Sequence, residues 1–276
     1  MAITAADVNK LRQQTGAGMM DCKNALVESN GDFEAAIDIL RKKGQKIAAK
    51  RGENEAKEGL IVAQASEDGK FGVIVTLNCE TDFVAKNDGY MNLVQSLVDI
   101  AIKNRPESID AFKALPYDDR LTVDEKITEQ IGVIGEKLDL SGYGTIDADK
   151  VVAYNHPGNQ LATLVGLNSN SETAEDAGKQ VAMQVAAMNP IALNKDGVDA
   201  RTIEREIEIG KELAIQEGKP ADMAEKIAMG RLNKFFQENT LLSQSFVRDN
   251  KLTVEQFLVS TEKGLTVVDF KRFSLS

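Results

Sequence analysis

Apolar residues recur at helical spacing in three short stretches at the start of the chain. Val8 and Leu11 lie one turn apart after Thr4, a residue type that caps helices. The second stretch contains Met19, Met20, Cys22, Ala25 and Leu26 and ends near Asn30 and Gly31. The third contains Phe33, Ala36, Ile37 and Leu40, with Asp32 as its cap and Gly44 as its end. We therefore predict a small three-helix module over residues 1–52 that presents an apolar patch to a partner.

The next part of the chain alternates between β-rich runs and amphipathic helices. Residues 60–65 and 71–79 are β-rich and flank a turn sequence at residues 67–70, which predicts a β-hairpin. An apolar stripe over residues 90–101 predicts a helix that ends before Pro106. A polar helical stretch and a capping box at residues 122–125 precede one more helix. These elements predict a first α+β core subdomain over residues 53–140.

A second set of strands is predicted at residues 144–147, 151–154 and 161–168, with a turn at residues 156–159 between the last two. A helix over residues 174–188 follows and stops at Pro190. Strand residues of the two sets correspond at an offset of 90, as in the pairs Phe71/Leu161, Val75/Val165, Leu77/Leu167 and Asn78/Asn168. This correspondence indicates a duplicated strand–loop–helix unit. We assign residues 141–191 and 232–276, including a last strand at 264–274, to a second core subdomain.

Two strongly charged helical stretches interrupt the second subdomain. Residues 198–218 and 222–237 have narrow apolar seams and are joined by the turn Gly218-Lys219-Pro220. This pattern favours an antiparallel helical hairpin over residues 192–231 that projects as a coiled-coil arm. An ordinary helical layer of the core is the alternative. The overall prediction is an α+β fold with a helical module, duplicated core subdomains and an inserted hairpin.

Charge and composition narrow the possible functions. The 276 residues include 33 Lys and Arg against 43 Asp and Glu, a formal net charge of −10. An acidic chain without Trp is a poor general binder of nucleic acids or anionic membranes. The charge-free residues 151–171 include a polar turn, and residues 1–10 lack the pattern of a signal peptide. We expect no membrane association and, with two distant cysteines, a cytoplasmic location.

Few residues are candidates for chemistry. The sequence has no phosphate-binding glycine loop, and its single histidine argues against a zinc site. Cys79 and His156 are the one pair that a cysteine hydrolase could use, an unfavoured alternative. The basic run at residues 41–51 is either a helix end complementing its dipole or a contact to RNA or the ribosome. Residues 80–87 are either a helix cap that Phe83 staples to the sheet, or a Phe wedge beside a carboxylate.

Two longer motifs carry a family resemblance. Residues 11–26 read LRQQTGAGMMDCKNAL and residues 78–86 read NCETDFVAK. Both are similar to signatures of translation elongation factor Ts, and the resemblance extends over nearly the whole chain. The sequence departs from the family at Thr76, where a Glu is usual, and at Pro157 and Asn159 in the turn after His156. The resemblance also implies that the helical N-terminal module is UBA-like.

The resemblance implies a protein that is not an enzyme but a guanine-nucleotide exchange factor in protein biosynthesis. Its partner would be the GTPase elongation factor Tu, preferentially nucleotide-free, and it would need no cofactor and no nucleotide site of its own. By motif match, the wedge segment that displaces magnesium and GDP comprises Thr81, Asp82, Phe83 and Val84. The residues implied to bind the partner are Arg12, Met19, Met20 and His156. The hairpin is a candidate for self-association.

Overall fold

The computed structural model describes residues 3–275, apart from the side chains of residues 221 and 222. Residues 1, 2 and 276, which the predicted modules include, lie outside the described residues. Within the described part, no helix is both long and apolar enough to cross a membrane. The α-helices are α1 (Ala5–Thr15), α2 (Met19–Glu28), α3 (Phe33–Arg51), α4 (Asp82–Ala85), α5 (Asp88–Asn104), α6 (Ile109–Ala114), α7 (Val123–Ile134), α8 (Glu172–Met188), α9 (Ala200–Gln216), α10 (Ala221–Asn239) and α11 (Val254–Thr261). The strands are β1 (Glu58–Ala65), β2 (Phe71–Cys79), β3 (Leu138–Asp147), β4 (Lys150–Asn155), β5 (Leu161–Leu167), β6 (Ser245–Phe246), β7 (Asp249–Thr253) and β8 (Val267–Ser274).

Helices α1 to α3 form the predicted N-terminal module. Thr4 begins α1 with a capping box that pairs its side chain with Asp7, and Gly16 ends the helix at a φ of 71°. The three helices bury a small common core that includes Leu11, Cys22 and Leu26. The capping residues and apolar spacing in the sequence therefore locate these helices correctly.

The expected end of α3 at Gly44 is wrong, because the helix continues to Arg51. Gly44 instead lies where α3 crosses α7. A Cβ atom added to Gly132 of α7 would lie 2.6 Å from the Cα atom of Gly44, and one added to Gly44 would lie 3.1 Å from the carbonyl oxygen of Thr128. The glycine therefore permits a close helix crossing that packs the N-terminal module on the core.

Two antiparallel three-stranded sheets form the core, with strand orders β1-β2-β3 and β4-β5-β8. The predicted hairpins β1–β2 and β4–β5 are both present. Residues 144–147 do not belong to the second strand set, because β3 pairs with β2 in a register that places Gly144 opposite Ile74. The predicted boundary between residues 140 and 141 falls inside β3, whose pairing partner is distant in the sequence.

The alternation of side chains along the strands builds four layers. On β2, Val73, Val75 and Leu77 pack in one hydrophobic cluster with α5 and α7. On β5, Val165 and Leu167 pack in another with α8 and α11. The opposite faces of the two sheets share a third cluster: Ile61, Ala63, Ile74, Ile146, Val151, Ala162 and Leu164. The sheets therefore lie back to back between helical layers, which confirms the α+β class.

Glycines allow the two sheets to approach closely. A Cβ atom added to Gly72 of β2 would lie 2.6 Å from Cγ1 of Val151, and one added to Gly166 of β5 would lie 2.7 Å from Cγ2 of Ile146. Both distances are far below ordinary carbon–carbon contact. Neither position has room for a side chain, so the sheets interlock.

The two halves repeat one another in detail. Each central strand has a register irregularity at corresponding places, between Thr76 and Leu77 in β2 and between Gly166 and Leu167 in β5. Each is followed by a helix whose C-cap has a positive φ, Arg105 in the first half and Asn189 in the second. The loop between strand and helix is longer in the first half, where it contains the additional one-turn helix α4.

Helices α9 and α10 pack mainly against each other, as expected of a peripheral arm. Their seam is made of small residues, since a Cβ atom on Gly210 would lie 3.1 Å from both Cα and Cβ of Ala228. The return helix extends to Asn239, and its base is held by a hydrogen bond from the Ile191 N–H to the Asn239 carbonyl. The short β6–β7 hairpin and α11, which follow the arm, were not predicted.

Candidate functional site

The wedge segment, residues 81–84, forms the loop that distinguishes the first half of the core. Thr81 caps α4 by accepting a hydrogen bond from the Val84 N–H at 3.4 Å. Val84 is partly buried and Ala85 is buried, whereas the Phe83 side chain is 83% exposed. The interpretation that Phe83 staples α4 to the sheet is therefore wrong. Covering this ring with a partner surface would contribute ~1.5–3 kcal/mol to binding.

Asp82 lies beside the exposed ring and pairs with Lys86, whose Nζ is 2.6 Å from its Oδ2. The hydrogen bond from Lys86 lowers the pKa of Asp82 below its ordinary value. The carboxylate is therefore ionised at neutral pH. It is joined to a lysine on the protein surface and can exchange that partner for another cation.

Two carboxylates hold the base of the wedge segment. Glu136 accepts hydrogen bonds from the Thr81 N–H at 3.0 Å and the Thr81 hydroxyl at 2.7 Å. Glu80 accepts from the Lys137 N–H at 2.6 Å and from the Arg51 guanidinium at 2.8 and 2.9 Å. We call Glu80 and Glu136, with the groups that they bind, the carboxylate clamp.

The pKa of Glu80 is lowered, chiefly by the Lys137 N–H and further by Arg51, although partial burial opposes the shift. Sequence reasoning missed the clamp, because Glu136 and Arg51 are distant from the motif that they support. A usable signal was present in the acidic residue directly before Thr81 and the basic residue that ends α3.

His156 lies in the exposed turn between β4 and β5, where its Nδ1 is 2.9 Å from the Tyr154 hydroxyl. This turn covers the free edge of β1. The Asn155 side chain bonds both the N–H and the carbonyl of Ala63, at 2.8 and 2.9 Å, and the Ile61 N–H donates to the Asn159 carbonyl. These contacts satisfy edge groups that would otherwise be unpaired.

The edge strand brings the His156 turn towards the wedge segment. Glu58, the first residue of β1, pairs with Cys79, directly before the clamp. Ile61 lies three residues further along β1, or about 10 Å at 3.3 Å per residue. Both candidate loops therefore lie along β1, although they come from different halves of the chain.

A groove with a volume of about 590 Å³ adjoins His156. Its lining includes Tyr154, Met183 and Val247, which are apolar or aromatic, and one cation, Arg248. Met183 and Val247 are exposed. The second half of the core thus contributes both a polar turn and an apolar surface beside it.

Arg12, Met19 and Met20 lie in the N-terminal module rather than at the wedge segment. All three are exposed, and the two methionines begin α2, with 48% and 64% of their side chains accessible. The turn between α1 and α2 is held by the buried Thr15, whose hydroxyl accepts a hydrogen bond from the Ala17 N–H at 3.3 Å. A flexible, apolar methionine pair on a rigid turn is well suited to contacting a protein surface.

The geometry gives the suggested Cys79–His156 dyad no support. The Cys79 thiol is buried and donates to the Thr81 carbonyl at 3.1 Å, whereas the His156 ring pairs with Tyr154. Burial raises the pKa of Cys79 to about 11, so the thiolate is scarce at neutral pH. In the part of the chain that is described, no three His, Cys, Asp or Glu residues are grouped to hold a metal ion.

The basic run at residues 41–51 forms the second half of α3, in agreement with its interpretation as a helix end. Lys43 pairs with Asp21 at 2.5 Å, and Arg51 belongs to the carboxylate clamp. Lys42, Lys46 and Lys50 are exposed. Part of the positive charge is therefore balanced within the protein, which weakens the case for RNA binding.

Comparisons with known proteins agree over the whole chain. The family model described as elongation factor TS matches residues 80–276, a region that begins at the clamp. Proteins named elongation factor Ts from Amoebophilus asiaticus and Cytophaga hutchinsonii are 54% and 52% identical over 273 and 275 residues. Each alignment covers 99% of this chain, and it covers 98% and 99% of the respective relative. A protein of the same name from Porphyromonas gingivalis is 49% identical over 276 residues, which is 100% of this chain and 99% of that protein.

Proposed function

This chain belongs to the elongation factor Ts family, and we propose that it is the guanine-nucleotide exchange factor of the GTPase elongation factor Tu. In this role it binds the GDP-bound GTPase in the cytoplasm, displaces magnesium and GDP, and stabilises the nucleotide-free form during translation elongation. It makes and breaks no covalent bond and needs no cofactor. The observation that carries the proposal is the exposed Phe83 ring on an anchored one-turn helix.

The wedge segment acts on the partner's nucleotide site. Phe83 enters an apolar space of the GTPase near its magnesium and phosphate groups, and the ionised Asp82 disturbs the groups that hold the metal. The Asp82–Lys86 pair is solvent-exposed and therefore weak, so the carboxylate can leave Lys86 at little cost. Thr81 and Val84 keep the ring in place from the two ends of α4.

The rest of the surface supplies the binding energy. Weakening the partner's hold on GDP tenfold requires about 1.4 kcal/mol of differential contact energy, and by linkage GDP weakens binding of the exchange factor equally. Burying one Phe side chain contributes only ~1.5–3 kcal/mol. A large displacement therefore needs further contacts, for which Arg12, Met19 and Met20 on one module and His156 on another are suitably exposed.

The modules divide this work. The N-terminal module docks on the GTPase domain, and the first core subdomain presents the wedge segment. The second core subdomain contacts another domain of the partner, and its His156 reaches the neighbourhood of the nucleotide site. The hairpin formed by α9 and α10 is peripheral and is available for self-association.

Release of a fluorescent GDP from purified elongation factor Tu tests the proposal. Catalytic amounts of this protein should accelerate release, and a stable complex should form only when GDP and magnesium are removed. This protein alone should show no fluorescence change with the same nucleotide. Equal release rates with and without the protein would refute the proposed function.

A further inference from the structure

Three separate segments of the chain meet at the carboxylate clamp. They are residues 51–54 at and after the end of α3, residues 80–81 at the start of the loop that carries Phe83, and residues 136–137 before β3. Asn54 adds a hydrogen bond to Glu80 at 3.0 Å, and the Lys137 ammonium donates to the carbonyls of Gly52 and Asn54. Each segment is thus bonded to the other two, and the charges of Arg51 and Lys137 balance those of Glu80 and Glu136.

Helix α4 depends on such external support. An isolated four-residue helix is unstable, since forming one turn fixes several backbone dihedrals for very few hydrogen bonds. Its C-terminal half is held by the packing of Val84 and Ala85. Its N-terminal end is held by the two hydrogen bonds from Thr81 to Glu136. Phe83 lies between these supports, so the direction of its ring depends on both.

The second half of the core contains an equivalent carboxylate without a wedge. Glu262 lies shortly before β8, as Glu136 lies before β3, and it accepts hydrogen bonds from Ser169 at 2.7 Å and from Ser171 in the loop after β5. In both halves, therefore, a carboxylate shortly before the last strand of the sheet fastens the strand–helix loop. In the first half only, the fastened loop carries an exposed aromatic side chain.

We propose that Glu136 and Glu80 are positioning residues that hold Phe83 in its exchange-competent direction, and that Arg51 fixes this direction relative to the N-terminal module. The inference rests on the proposed function for the role of Phe83. Glu136 acts on the wedge segment directly, through Thr81. Glu80 links the same segment to the end of α3, the helix that packs in one core with the methionine-bearing α2. Docking of that module then places the ring at a defined site on the partner.

The test compares Glu136→Ala with Glu262→Ala, because both changes remove a carboxylate from equivalent loops. GDP release is measured at increasing concentrations of exchange factor, which separates the maximal rate from the half-saturating concentration. We expect Glu136→Ala to lower the maximal rate by about tenfold, equivalent to ~1.4 kcal/mol, with little change in half-saturation. Glu136→Gln, whose amide oxygen still accepts one bond, should retain an intermediate rate. Glu262→Ala should retain the wild-type rate.

A double variant identifies the route of the effect. If Glu136 acts through Phe83, then Glu136→Ala should cause no further loss in a Phe83→Ala background. Arg51→Met should lower the maximal rate, whereas Lys50→Met, a matched change at an exposed neighbour, should not. A similar loss for Glu262→Ala, an undiminished loss in the Phe83→Ala background, or a wild-type rate for Glu136→Ala would each overturn the proposal.

Amide hydrogen exchange in the free protein separates failure of the inference from failure of the proposed function. Residues 81–86 should exchange faster in Glu136→Ala than in wild type or Glu262→Ala. Unchanged protection of this segment would overturn the positioning role, whatever the activity. Failure of the wild-type protein to accelerate GDP release would instead refute the proposed function.

Discussion

The crossing of α3 and α7 gives a prediction in which the same type of substitution has different effects at two sites. Gly132 faces Gly44 at this crossing, and a Cβ atom at Gly132 would lie 2.6 Å from the Gly44 Cα. Gly230, in the middle of α10, is exposed and has no atom within 4 Å of the position that a Cβ would occupy. We expect Gly132→Ala to be destabilising relative to Gly230→Ala.

The size of the difference follows from two contributions. Replacing Gly by Ala inside a helix is favourable by ~1 kcal/mol at either site, because the unfolded chain loses conformational freedom. At Gly132 the new methyl group is about 1 Å closer than the optimal carbon–carbon distance of ~3.5–4.0 Å. Overpacking of this kind costs ~1–3 kcal/mol. Since helix propensity cancels in the comparison, the two variants should differ by about 1–3 kcal/mol.

Thermal unfolding followed by circular dichroism measures this difference. A change of 1 kcal/mol shifts the melting temperature by roughly 2–4 °C in domains of 150–250 residues. Gly132→Ala should therefore melt at least about 2 °C below Gly230→Ala, and Gly230→Ala should melt at or above wild type. Equal stabilisation by both substitutions would refute the close crossing of α3 and α7. It would also refute the fixed position of the N-terminal module on the core.

Three further predictions concern exchange and stability. Phe83→Ala should slow maximal GDP release by tens-fold, and a wild-type release rate for the folded variant would contradict the role of Phe83 as a wedge. The Met19→Ala/Met20→Ala double variant should mainly raise the half-saturating concentration. Replacing residues 200–236 by a Gly-Ser connection should leave a cooperatively melting, exchange-active core, and loss of the fold would show that the hairpin is part of that core. The pKa of Glu80 is lowered in the folded protein, so its carboxylate stabilises the fold. This stabilisation is complete above about pH 4.5, the ordinary pKa, and is lost as the pH falls through the pKa of the folded state. Hydrogen exchange of residues 80–86 should show this acid dependence in wild type and not in Glu80→Gln.

Local signals predicted much of the secondary structure. The capping boxes at Thr4 and Thr122 act over three residues, so the sequence pattern itself contains the interaction that begins each helix. The near-continuous apolar runs of β2 and β5 likewise indicate burial of each strand on both faces. The offset of 90 residues between the halves reappears in the register irregularities of these strands.

Interactions between distant segments were the ones that sequence reasoning missed. Gly44 is a residue type that commonly ends helices, and only the approach of Gly132 shows why a glycine lies inside α3 instead. β3 was divided between two subdomains because its partner β2 is about 60 residues away. The motif containing Phe83 was identified, but its support by Glu136 was not, since no local pattern relates residues 55 positions apart.

The close, glycine-lined contact between the two sheets bears on which of two binding partners changes conformation in a complex. Phe83 follows a strand of one sheet, and His156 follows a strand of the other. Because Gly72 and Gly166 have no side chains, these two sheets are in close contact. The distance between the two loops is therefore fixed. If this chain has the proposed function, a GTPase bound at both points has to adapt to this span, and the distortion that releases its nucleotide then occurs in the GTPase. Under the same proposal, the chain itself loses little conformational entropy on binding.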